Sequence, residues 1–159
     1  YAAQWIGNFE NPEGAIGGAS YAFAPLDQRT WSVTLRSSAL FTRDQSLELY
    51  AQPYLTTGSY GDARELARPD SREYRPLAGV DAAEGNFSYG AVNLNMVYRW
   101  EYRPGSTFYL VWTQSRSTFD TRGSGDPASD FDNAFGMDPL FKNRGENRIL
   151  AKLTYWIPV

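Results

Sequence analysis

The sequence predicts an all-β protein, specifically an antiparallel up-and-down transmembrane β-barrel of which this chain is the C-terminal portion, with about seven strands. Three observations lead there. From Val92 the chain alternates strictly: Val92, Leu94, Met96, Tyr98, Trp100 and Tyr102 fall on one face, and Asn93, Asn95, Arg99 and Glu101 fall on the other. That is the period of a strand, whose successive side chains point to opposite sides. One of those faces is wholly apolar and aromatic while the other carries amides and full charges, the division demanded of a sheet with lipid outside and a polar lumen inside. Finally, two long polar segments, Gly58–Gly85 and Ser117–Glu146, alternate with two tight turns at 43–45 and 104–106. Outer-membrane barrels show this asymmetry, with short periplasmic turns and long extracellular loops.

Each element follows from the same reasoning. Residues 2–10 and 15–24 read as strands separated by the turn signal Asn11-Pro12-Glu13-Gly14. Pro25–Arg29 reads as a short connection. Trp31–Thr42 places Trp31, Val33 and Leu35 opposite Ser32, Thr34 and Arg36. Ser46–Thr57 sets Leu47, Leu49, Ala51 and Leu55 against Ser46, Glu48, Gln52 and Thr56, with Pro53 implying a bulge or a local break in pairing. Strands at 86–102 and 106–117 form the next hairpin, and Asn147–Ile157 forms the last strand. Arg43-Asp44-Gln45 and Pro104-Gly105-Ser106 read as three-residue loops, because that spacing keeps apolar residues on one face: Phe41 would meet Leu47, and Ala39 would meet Leu49.

Composition narrows the function. The 159 residues carry a net charge of −3 and no Lys/Arg cluster, so a nucleic-acid interface has no electrostatic footprint. There is no cysteine and no histidine, which removes disulfides, thiolate chemistry, His-based triads and the commonest metal ligand. No apolar run approaches the length of a transmembrane helix. Starting at Tyr1 without an initiator Met, the chain reads as part of something longer. About seven strands cannot close a barrel that needs about eight or more, so an N-terminal part of the same protein, or other subunits, is expected to complete it.

Three blocks carry a resemblance: Ser46–Asp62 (SLELYAQPYLTTGSYGD), Val97–Arg116 (VYRWEYRPGSTFYLVWTQSR) and Asn147–Val159 (NRILAKLTYWIPV). Together they resemble the C-terminal barrel domain of an uncharacterised bacterial family, a domain of unknown function. Many members of that family carry an N-terminal domain similar to family 9 carbohydrate-binding modules. The resemblance covers roughly residues 30–159. It implies an outer-membrane β-barrel in a Gram-negative-type envelope and supplies no activity.

Candidate chemistry is sparse. Glu48 and Glu101 could form a glycosidase-like carboxylate pair. However, Arg36 lies across the hairpin from Glu48 and Arg99 two residues from Glu101, so a paired lumen network of Arg36, Glu48, Arg99, Glu101, Arg148 and Lys152 is the expected arrangement. Asp126, Asp130 and Asp132, with Asn133 and Asp138, could offer oxygen ligands to Ca²⁺, but their spacing does not fit an EF-hand loop. A solvated acidic loop is the default, and no metal or cofactor is expected. Phe131, Phe135, Met137, Leu140 and Phe141 in the same loop are expected to fold over the barrel mouth or onto a partner. Tyr50, Tyr54, Tyr60, Tyr74 and Tyr89 either pack in the loops and interfacial girdle or form a platform on which sugar rings stack.

The expected protein is therefore a non-enzymatic outer-membrane segment with a transport, surface-display or assembly-scaffold role. Its lipid-facing residues are Leu47, Leu49, Leu94, Met96, Tyr98, Trp100, Leu110, Trp112, Leu153 and Tyr155. The expected partner is outer-membrane lipid, with carbohydrate as a conceivable ligand. Two alternatives use the same alternation: a soluble β-sandwich binding module whose apolar face packs on a second sheet, and a self-assembling surface protein whose open edges pair between copies.

Overall fold

A computed structural model describes residues 3–14, 16–68, 70–121 and 144–157. The chain is all-β, and its strands join one antiparallel sheet of nine in the hydrogen-bonded order β6-β5-β2-β4-β7-β8-β9, with β1 on β2 and β3 on β4. The strands are β1 (Ala3–Glu10), β2 (Ala19–Ser32), β3 (Leu35–Thr42), β4 (Gln45–Tyr60), β5 (Arg64–Leu66), β6 (Tyr74–Pro76), β7 (Phe87–Arg103), β8 (Ser106–Asp120) and β9 (Glu146–Thr154). Among the described residues this path does not close, and the one helical element is a 3-10 turn, Ala82–Gly85. No described helix is long and apolar enough to cross a membrane, which says nothing of strands.

The seven long strands lie where the alternation puts them, with four corrections. First, Pro25–Arg29 is no connection. β2 runs straight through it to Ser32, taking in Trp31 so that β3 starts only at Leu35, with Pro25 level with Ala3 and its carbonyl accepting the Gly61 N–H at 2.8 Å. Second, both tight turns are two residues long. Strand β3 ends at Thr42 and β4 begins at Gln45, and a register shift between Leu40 and Thr42 absorbs the odd residue. Ala39 therefore meets Leu47 rather than Leu49. The slip is two residues, so every side chain keeps its expected face. Third, the Gly58–Gly85 segment is not a plain loop: β4 extends to Tyr60, and β5, β6 and the 3-10 turn follow. Strands of three residues are too short to display a period. Fourth, the last strand stops at Thr154, so Tyr155 lies beyond it.

The anticipated break at Pro53 is present, but it falls on the partner strand. β4 is continuous, whereas β2 and β3 are separated at Val33–Thr34, where the Val33 N–H reaches the Pro53 carbonyl at 3.1 Å. Proline offers no donor there, so the neighbouring strand loses its ladder locally.

The chain divides into two compact units. One gathers the described residues of 1–30, 56–89 and 119–121. In it, β1 and β5 pair with β2, and β6 pairs with β5. Ala24, Ala63 and Ala82 form its buried centre, with Ile6, Tyr60, Leu77 and Val80 packed around them. Alanines at Ala22 and Ala24, both fully buried, leave room for the segment after Tyr60 to lie close against β2.

The other unit gathers the described residues of 31–55, 90–118 and 144–157, and it has almost no core. β3 and β9 are exposed along their whole lengths. At its turn, Pro104-Gly105 joins β7 to β8, with Gly105 at φ +77°. This is the proline-then-glycine order of a type II turn. The Gly105 N–H donates to Glu101 Oε1 at 3.1 Å, and the Trp156 N–H donates to the buried Ser106 hydroxyl at 2.9 Å. These side-chain bonds hold a tighter turn than alternation alone predicts. A Cβ at Gly105 would also sit 3.1 Å from the Trp156 side chain. Gly105→Ala is therefore expected to destabilise by about 1–2 kcal/mol, the usual penalty for a left-handed non-glycine residue. The denaturation midpoint of the full-length protein measures it.

Candidate functional site

The candidate site is the polar face of the second unit. The β8–β9 register fixes its sides: Phe108 pairs with Leu153, Leu110 with Ala151 and Trp112 with Ile149, while Tyr109 pairs with Lys152, Thr113 with Arg148 and Ser115 with Glu146. On β3–β4, Leu35 pairs with Ala51, Ser37 with Leu49 and Ala39 with Leu47, while Arg36 pairs with Tyr50 and Ser38 with Glu48. Two adjoining clefts of about 400 and 380 Å³ open on the polar side. Arg36, Ser38 and Glu48 line the first, Asn93, Thr113 and Arg148 line the second, and Tyr50 and Asn95 are common to both.

All the expected lumen residues lie on this face, but as separate groups rather than one ion-pair network. Arg99 and Glu101 pair at 2.9 Å, with Tyr109 a further hydrogen-bond partner of Arg99. Arg148 pairs with Glu146 of its own strand at 2.6 Å, a partner that the sequence reading overlooked. Arg36 does not pair with Glu48. Its guanidinium lies 5.5 Å from the centroid of the Tyr50 ring, because Tyr50, not Glu48, is its cross-strand neighbour. Lys152 is level with Tyr109. Glu101 is committed to Arg99 and to the Gly105 N–H, so it is poorly suited to act as one of a catalytic carboxylate pair.

The opposite face carries no charge over long stretches. On β3, β4, β7, β8 and β9 the residues of this parity run from Leu35 through Leu47, Leu49, Leu94, Met96, Tyr98, Trp100, Leu110 and Trp112 to Leu153 without a charged side chain, until Arg116 near the end of β8. Among the described residues no second sheet covers it: Leu153 is 67% exposed, Ile149 73% and Trp100 41%. Trp100 and Tyr102 meet edge to face at 6.0 Å. Tyr155, beyond β9, accepts a hydrogen bond from Arg103 at 2.8 Å, so it belongs to the turn region rather than to the strand's apolar row.

The tyrosines are engaged one by one. Tyr50 lies under Arg36, Tyr60 packs on the alanine core, and Tyr74 meets Phe23 edge-on at 5.5 Å. Asp126, Asp130 and Asp132, and the apolar cluster Phe131–Phe141, lie outside the described residues. Among the described residues no group of acidic side chains could hold a metal ion.

Sequence reasoning missed one buried charge. Glu65, in the first unit, is only 4% exposed. It accepts the Ser20 hydroxyl at 2.7 Å and pairs with Arg75 at 2.5 Å, while Arg75 also donates to the Glu13 carbonyl and Asn11 to Ser20. The available signal was the pairing of opposite charges, Arg64-Glu65 against Glu73 and Arg75, on either side of Asp70.

No curated protein and no solved structure matches the chain. One family model does, over residues 5–159, and its description is "Domain of unknown function (DUF5916)". With nearly the whole sheet inside that match, the chain belongs to the DUF5916 family.

Proposed function

We propose that this chain is a non-enzymatic segment of an outer-membrane β-barrel, with its apolar face against lipid and its polar face toward a lumen. Further strands, from the same protein or from other subunits, complete the barrel. The observation that carries this reading is the long uncharged stretch on one face of the second unit, which no second sheet covers among the described residues. Burying one Leu, Ile or Phe side chain contributes about 1.5–3 kcal/mol, and Leu35, Ile149 and Leu153 forgo most of that in water. Acyl chains would supply the burial, the ladder satisfies the backbone groups of the paired strands, and the completing strands would satisfy those at the sheet's edges. A sandwich would need a second layer over Leu94, Trp100 and Leu153.

The role that fits such a segment is transport, surface display or scaffolding. A link to carbohydrate would come through an N-terminal module of the kind the resemblance implies. Detergent dependence tests the membrane reading. The full-length protein is expected to stay monodisperse only in detergent or lipid, and to migrate differently on gels before and after boiling. A monodisperse species in plain buffer would overturn the assignment.

A further inference from the structure

We propose that the polar face of the second unit is a track for anions, selecting negatively charged solutes over cations. The inference rests on the barrel reading and names the solute class that its lumen admits. Arg99 and Arg148 are each neutralised by an acid two residues away on the same strand. Arg36 and Lys152 have no carboxylate at ion-pair distance among the described residues. Their cross-strand neighbours are tyrosines, Tyr50 and Tyr109, whose rings do not cancel a positive charge. Against these two cations stands one unpaired acid, Glu48.

The face is thus net positive although the whole chain carries −3. Field lines concentrate where low-dielectric walls surround a wet groove, and rings of Arg and Lys are the usual origin of anion preference in pores. The first cleft adds a neutral donor beside Arg36, the Asn95 amide, and the adjoining cleft carries the Asn93 amide and the Thr113 hydroxyl beside Arg148. A carboxylate, a phosphate or chloride itself would find hydrogen bonds as well as charge along this path.

The test is the reversal potential of the full-length protein in planar bilayers across a KCl gradient. The wild type is expected to pass chloride several-fold better than potassium. Arg36→Gln with Lys152→Gln is expected to bring the permeability ratio to about one, since Glu48 and Arg103, whose partner is the neutral Tyr155 hydroxyl, then offset each other. Arg99→Gln with Glu101→Gln removes a neutral pair and is expected to leave the ratio unchanged, which separates local charge from general damage. Channels that prefer potassium, or that ignore the Arg36/Lys152 change, overturn the track and leave the barrel reading standing. Protein that inserts but does not conduct has the same consequence. Protein that never inserts overturns both.

Discussion

Leu94→Arg is expected to lower the stability of the lipid-embedded protein by about 2–4 kcal/mol, the penalty for a cation near the bilayer midplane. Leu94 lies in the middle of the 17-residue β7, on the face without charges. The neighbouring substitution, Asn95→Arg, supplies the control. It introduces the same side chain one residue on, where the strand turns it toward the cleft already lined by Arg36 and Glu48, and it is expected to change stability little. Urea unfolding of the full-length protein refolded into vesicles measures both. Equal penalties at the two positions would mean that the two faces meet the same medium, and the membrane assignment would fall.

Arg75→Leu carries the second large effect, expected at about 3 kcal/mol, because it takes the Arg75 charge away from a buried carboxylate. The Glu65 side chain is 5% exposed whereas that of Arg75 is 46% exposed, so the loss falls on the acid and not on the base. Ser20 still donates to Glu65 and limits the damage. Adding Glu65→Gln to Arg75→Leu removes the buried charge and is expected to recover much of the loss. Hydrogen exchange of the β5 and β6 amides reads this locally. A double variant no more stable than the single one would mean that packing, not charge, holds these short strands on β2.

How much was legible in advance follows from length and period. A strand such as β7, with 17 residues, repeats its pattern often enough to fix which side chains share a face, and parity survived even where the β3–β4 pairing shifted by two. β5 and β6, with three residues each, contain no repeat to read, so the fold of the segment after Tyr60 was hidden. Glu65 was hidden with it, since its burial depends on Ser20, which is 45 positions away.

The sequence alone determined the long strands, their two-sidedness and the segregation of charge, because alternation is a local property of extended backbone. Tertiary structure decided which charges are neutralised. Arg36 stacks on Tyr50 and Arg148 takes Glu146, choices set by cross-strand register and rotamer that no periodicity encodes. A bulge decided this register as well: one extra residue absorbed near Phe41, together with a turn one residue shorter than expected, moves every partner downstream by two.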